Sequence, residues 1–342
     1  MVWRAIVAAA LCVAAIEAVQ TTAVSAQSAA EIASMRRDYR RPAPLPIGNA
    51  ALVELGRELF FDPRVSASGK TACASCHFQE LGWGVTDARS RSDSGRPTSR
   101  KSQPLTGIGH AGKAPVGWDG RSATLEAQAK ASISTGSMSM DGTDTPVKVE
   151  VIEERVRSDA AYAAKFAKAL PGKAIDIDTI VTAIAAFERT LEPPIAPFDR
   201  WIDGDEQAIS DSAKRGFALF NTTNSMCFTC HTGWRFTDDR FHDIGTTTTD
   251  IGRGRVVKDD EQAQYAFKTP TLRATALRPP YMHNASQKTL DDVLRHYEKG
   301  GIDRPSRSPL MMPIKLSEQD RRDLIAFMET LAGEPASVGA SR

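Results

Sequence analysis

The chain has 342 residues, with 43 Lys and Arg against 42 Asp and Glu, for a formal net charge of +1. Mixed charge of this kind excludes the basic footprint of a nucleic-acid or membrane-surface binder. The length exceeds one ordinary domain and predicts two.

Residues 1–26 read as an export signal. Arg4 gives the positive start, and Ala5 to Ala15 form an apolar run too short to span a bilayer. Ala23-Val24-Ser25-Ala26 supplies the small residues of a cleavage site. No later stretch is long and apolar enough to cross a membrane, so the expected location is the periplasm. Cys12 falls inside the segment to be removed, and Leu11 before it argues against a lipoprotein site.

The other four cysteines form two strings, Cys73-Ala-Ser-Cys76-His77 and Cys227-Phe-Thr-Cys230-His231. Each is C-x-x-C-H, the attachment pattern of c-type haem. Two thiols make thioethers to the porphyrin edge, and the adjacent histidine binds iron from the proximal side. Zinc needs further Cys or His partners at ligand spacing, and none is evident. A redox dithiol needs no histidine. All four remaining cysteines are thereby used, and no disulfide is expected. Covalent haem attachment outside the bacterial cytoplasm agrees with export.

The surroundings of the strings repeat. Gly56 to Phe60 precedes the first, with Gly82-Trp83 and Thr86-Asp87 after it. Gly216 to Phe220 precedes the second, with Gly233-Trp234 and Thr237-Asp238 after it. The shared order predicts an all-α fold of two related cytochrome c-like domains, residues 45–197 and 198–335. Pro193, Pro194 and Pro197 mark the join. Residues 89–103 read as a polar loop over the first haem.

Helical signals lie elsewhere. Val151 to Leu170 has Val151, Val156, Tyr162 and Phe166 as its apolar positions. Ile175 to Leu191 has Ile180, Ile184 and Phe187 on one face. Residues 245–264 form another polar loop. Thr289 caps a helix running to Tyr297. Ser317 opens the last helix, with Asp320 completing a capping box. Residues 27–45 and the last eight are expected to be mobile.

The second axial position on each iron sets the chemistry: a strong ligand makes an electron carrier, an open position admits peroxide. Near the first string the candidates are His110, Met138 and Met140, and a methionine in the cavity wall is the plainer reading. Near the second they are Met282, His283, His296, Tyr297, Met311 and Met312. By pattern Tyr297 shares the inner helix face with Leu290 and Val293 or Leu294, as a core aromatic would. His296 is turned roughly 100° away. Pattern alone leaves this ligand open.

Beyond the strings stand Trp118-Asp119-Gly120-Arg121, Leu125 to Gln128, Phe267 to Arg273, Pro280-Tyr-Met-His283, Thr289-Leu and Gly300-Gly301. With these motifs the chain resembles the bacterial di-haem cytochrome c peroxidase and MauG family over residues 45–335. In typical family peroxidases a methionine fourteen positions after the Pro-Tyr-x-His histidine binds the second iron. The MauG branch has tyrosine there, as this chain has Tyr297, so the resemblance implies His231/Tyr297 ligation. A thioether favours Fe(II), whereas a phenolate favours higher oxidation states. MauG-like proteins hold two oxidising equivalents across both haems after peroxide attack, then take electrons from residues of another protein.

The resemblance also implies that Trp118 lies between the haems as a charge relay, and that Gln128 lines the distal pocket of the first. Trp83 and Trp234 read as packing, and His283 as a neighbour of the site rather than a ligand. Three departures follow. No histidine stands around Ser92 to Ser94 to cap the first iron. Thr135 to Met140 lacks the family's distal glutamate, which leaves acid work to Gln128 through water, to Asp141, or to nothing. Lys101 replaces an asparagine that helps bind calcium, whose other contacts are carbonyls near Arg278 and Pro280, so calcium is left open. The expected function is a periplasmic peroxidase that uses hydrogen peroxide to oxidise a partner protein's side chains through a high-valent di-haem state. The alternatives are peroxide detoxification with electrons from a small redox protein, and a non-enzymatic di-haem electron carrier.

Overall fold

The computed structural model describes residues 34–140 and 146–333. The export signal, Asp141 and the last eight residues lie outside the described residues. In chain order the helices are α1 (Ala50–Phe61), α2 (Leu125–Ser134), α3 (Val149–Arg157), α4 (Ala160–Ala169) and α5 (Ile177–Glu188). Then follow α6 (Pro197–Ile202), α7 (Asp211–Phe220), α8 (Leu290–Lys299) and α9 (Glu318–Glu329). The strands are β1 (Phe241–His242) and β2 (Phe267–Lys268), antiparallel, with Phe241 opposite Lys268 and His242 opposite Phe267. Helices therefore carry most of the regular structure, but the expectation of all-α needs this small correction.

Beside a small cluster of Val116, Leu125 and Ala185, two large apolar clusters form. One runs from Leu55 to Leu191 and holds Phe60, Ile152, Ile184 and Phe187. The other holds Phe198, Phe217, Phe236 and Phe327. The change falls at Pro193 to Pro197, where Pro197 opens α6 at a position that needs no N–H.

Each large cluster is built on one close helix crossing. α1 meets α5 at Gly56, where an added Cβ would lie 1.8 Å from the Ala183 carbonyl oxygen. α7 meets α9 at Gly216, where it would lie 1.9 Å from that of Asp323. Phe187 and Phe327 sit beside these glycines in turn. Only a residue without Cβ allows backbones this near.

Caps divide the helices as polar chemistry directs. Ser317 and Asp320 form the expected box, with Asp320 N–H donating to Ser317 Oγ at 3.1 Å and Ser317 N–H to the Asp320 carboxylate at 2.8 Å. The expected run from Val151 to Leu170 is two helices, because Asp159 accepts from the N–H groups of Ala161 and Tyr162 and starts α4 anew. Within α3 the inward residues are Ile152 and Val156, while Val151 is 43% exposed. The expected mobility of residues 27–45 does not hold for Tyr39, which is 3% exposed in the second core and stacks on Phe236 at 4.8 Å.

Buried cations join the halves. Arg100 pairs with Asp119 at 2.7 Å and with Asp250 at 2.6 Å. Arg278 donates to the carbonyls of Leu81, Ala274 and Arg273.

Gly56→Ala and Gly216→Ala are each expected to lower unfolding stability by about 1–3 kcal/mol, because the helix pairs must move apart. Denaturant unfolding checks this; a change within error at both sites contradicts the close-packing argument.

Candidate functional site

Both string histidines are held the same way. His77 Nδ1–H donates to the Trp83 carbonyl at 3.0 Å, and His231 Nδ1–H donates to the Phe236 carbonyl at 2.9 Å. Trp83 and Phe236 adopt positive φ of 58° and 54°, uncommon for bulky residues. That backbone choice points each carbonyl at its imidazole. Burial lowers the pKa of both histidines, so the neutral form is favoured. A neutral ring bonded at Nδ1 offers Nε2 as a ligand. The thiols of Cys73, Cys76 and Cys227 are pushed up by burial and remain protonated.

An apolar cavity opens at the second string. Cys227, Cys230 and His231 line it, with Leu290, Val293, Leu294 and Tyr297 of α8. Among the six residues considered as second ligand, Met282, His283, Tyr297, Met311 and Met312 line the cavity and His296 does not. His296 Nε2 instead bonds the Ile244 carbonyl at 2.8 Å. The Tyr297 hydroxyl has no hydrogen-bond partner among the described residues, and burial holds its pKa well above that of an ordinary phenol.

Trp118 lines the same cavity, although it belongs to the first half. Its indole N–H donates to the Lys101 carbonyl at 2.7 Å, and its own carbonyl accepts from Lys268 N–H at 2.8 Å. Arg253 donates to the Asp119 carbonyl at 3.1 Å, and Asp119 also binds Arg121. The Trp-Asp-Gly-Arg loop is thus clamped by β2 and Arg253 of the second half. Beside it, His283 stacks on Phe267 with ring centres 3.5 Å apart. Its Nε2 lies 4.0 Å from Asp250 and makes no hydrogen bond. Burial lowers its pKa to about 4, so it is neutral.

Around the first string the candidate second ligands are engaged elsewhere or packed. His110 Nε2 meets Glu192 at 2.6 Å, and its ring stands edge-on to Trp234. Met138 belongs to the first core, and Met140 is half-buried. Cys76 Sγ lies 3.8 Å from the Arg91 carbonyl, so the loop of residues 89–103 does approach this string. Gln128, on α2, accepts from Ser122 Oγ at 2.9 Å and donates to Ser132 Oγ at 3.4 Å. Trp83 packs in the first core against Phe60 and Phe187.

Lys101 stands in the seam, 6% exposed, its ammonium donating to the Asp87 carbonyl at 3.3 Å and the Pro279 carbonyl at 3.4 Å. Burial and the Arg278 guanidinium lower its pKa to about 8. Arg278 is likewise pushed down, to about 10, by burial. No carboxylate pairs with either cation among the described residues.

These features fit a c-type haem at each string. The thiols and a prepared imidazole are adjacent, the second cavity is apolar with an unpartnered hydroxyl, and a seam with two unpaired cations suits porphyrin carboxylates. One three-residue group of metal-binding type occurs among the described residues, Cys230, Asp238 and His242, with ligand atoms within 4.8 Å. It borrows a string cysteine, and the first string has no counterpart, so it does not explain the duplication.

Several residues escape the sequence reading. Lys268 enters that reading only as part of the Phe267 to Arg273 motif, and the clamp Arg253 carries no local signal. Glu188 did: it falls four residues after Ile184 on the apolar face of α5, yet it is 9% exposed and close enough to act on the Cys73 thiol.

Comparison with known proteins agrees. The family described as di-haem cytochrome c peroxidase matches residues 50–207, and that described as cytochrome c matches residues 213–332. The methylamine utilization protein MauG of Methylorubrum extorquens is 42% identical over 93% of this chain and 90% of its own length. The cytochrome c551 peroxidase of Nitrosomonas europaea is 31% identical over 84% of this chain and 81% of its own. A crystal structure of a MauG-like protein associated with microbial copper homeostasis superposes with a TM-score of 0.77 at 28% identity, covering 88% of this chain and 96% of that one.

Proposed function

Since the chain belongs to the di-haem cytochrome c peroxidase and MauG family and is a peroxide-dependent oxidoreductase, we propose that it is a MauG-like enzyme that oxidises side chains of a partner protein. The observation that carries this reading is Tyr297, in the family's ligand position, lining the cavity of the second string with a free hydroxyl. When bound, two haems supply the reaction with peroxide and the storage of its oxidising power. Reducing one peroxide to two waters takes two electrons and two protons, and the partner provides the electrons.

The chain's own residues divide the work. Cys73 and Cys76 would hold the first haem and Cys227 and Cys230 the second, as thioethers. His77 and His231 would bind the irons through Nε2, each ring fixed by its carbonyl bond. Peroxide would react at the first haem, where His110 is engaged with Glu192 and the loop of residues 89–103 has no histidine to hold the iron. Gln128 borders that pocket. Trp118, gripped from both halves, relays charge toward the Tyr297 site. We take the two halves as copies of one cytochrome c unit, residues 45–197 and 198–335. Export by residues 1–26 places the enzyme in the periplasm; among the described residues, no helix is long and apolar enough to cross a membrane.

Peroxide detoxification is a second reading, favoured by relatives named cytochrome-c peroxidase at 31–33% identity. In its favour would be steady turnover with a reduced small cytochrome. Calcium is not needed in this reading, because the Lys101 ammonium already bonds the seam carbonyls.

Mixing the diferric protein with peroxide should give a spectral change on both haems that outlasts mixing. Tyr297→Phe should shorten its lifetime on the order of tenfold or more, as loss of about 1.4 kcal/mol of stabilisation would. An unchanged lifetime in the variant counts against the MauG-like role.

Chelator treatment should leave the visible spectrum and the peroxide reaction unchanged, whereas Lys101→Asn should make both respond to added calcium. Loss of reactivity on chelation of the unmutated protein contradicts the ammonium's role.

A further inference from the structure

Helix α5 ends on an acid inside the protein. Glu188 is 9% exposed, and its carboxyl group has no hydrogen-bond partner among the described residues. Glutamate is seldom this buried without a partner, so packing alone does not account for it. The second half shows what the position does. Gly56 meets Ala183 and Phe187 as Gly216 meets Asp323 and Phe327, and this register pairs Glu188 with Met328. Met328 lines the cavity of the second string. In the first half the same helical position carries an acid, which acts on the thiol of Cys73.

We propose that Glu188 is a positioning residue for the first haem, an acid that binds a proton when that haem gains an electron and releases it when the electron leaves. The inference rests on haem attachment at Cys73 and Cys76. The step balances: a reductant supplies one electron to the iron, solvent supplies one proton to the carboxylate, and net charge inside the pocket is unchanged. Loss of that electron runs the same exchange in reverse.

The surroundings suit such a group. α1 brings Glu54, Arg57 and Glu58, but Arg57 is tied to Glu54 at 2.9 Å and Glu58 to Lys165. α2 brings Lys130, bound to Asp178 at 2.6 Å, and Glu126. α3 brings Glu153, which caps Ile177 at the far end of α5. Among the described residues, Arg189 and its salt-bridge partner Glu126, 2.7 Å apart, act on the Glu188 carboxyl in opposite senses. Burial dominates and raises the acid to about 8, so uptake of a proton on reduction sets in where the oxidised protein carries the carboxylate, above about pH 8.

The test is a spectroelectrochemical titration of each haem in the holoenzyme, from about pH 6 to about pH 10, a range that spans the shifted acid. The first haem's midpoint potential should fall with rising pH by one proton per electron above the acid's pKa in the oxidised protein and below its higher pKa in the reduced one, with no such slope at the second. Glu188→Gln, and Glu188→Met copied from the second half, should abolish that slope while the protein mass still shows two haems. A slope retained in Glu188→Gln with both haems in place overturns the inference alone. A mass lacking haem on the first string overturns the attachment reading and the inference with it.

Discussion

A histidine ring can present a lone pair to a metal only when its other nitrogen is satisfied and its tilt is fixed. In this chain one backbone carbonyl does both for each string, and the residue bearing it pays with a left-handed backbone. Trp83 and Phe236 differ in side chain and in spacing from their histidines, six and five residues on. They share the conformation and the acceptor. The glycine-seated crossings of α1 on α5 and α7 on α9 then set the walls around these rings. Much of what distinguishes the two sites comes from what each wall offers next: tyrosine on α8 in one, and an unpartnered acid at the end of α5 in the other.

The halves communicate through polar contacts rather than through a shared core. Trp118 is bonded at both its indole and its carbonyl, and the partners come from different halves. Lys101 takes part three times: its carbonyl holds the indole, its N–H donates to the His283 carbonyl at 2.8 Å, and its ammonium bridges Asp87 to Pro279. A buried ammonium with carbonyl partners does the neutral-acceptor bonding that a bound cation would otherwise do, without depending on ion concentration. The stack of His283 on Phe267 fills the remaining space beside the indole.

Much of this was legible in the sequence because its signals are local. The strings, the caps at Ser317 and Thr289, and the proline join are each read from neighbouring residues, and the structure builds the caps and the division between cores there. Less legible were features that depend on partners far along the chain. Asp159 looked like one more polar residue in a helical run until its side chain turned back onto Ala161 and Tyr162. Tyr39 lies in a segment with few apolar residues, and only the second core shows why it is ordered. The side chain of Lys101 pointed to a lost calcium ligand, but the two carbonyls it meets lie 14 positions before it and 178 after it.

The central claim is an open iron in the first half and a tyrosine-bound iron in the second. Electron paramagnetic resonance of the resting diferric enzyme tests it most directly. The account predicts one high-spin and one low-spin ferric signal, with only the low-spin signal altered in Tyr297→Phe. Two low-spin signals that both survive the substitution would contradict it.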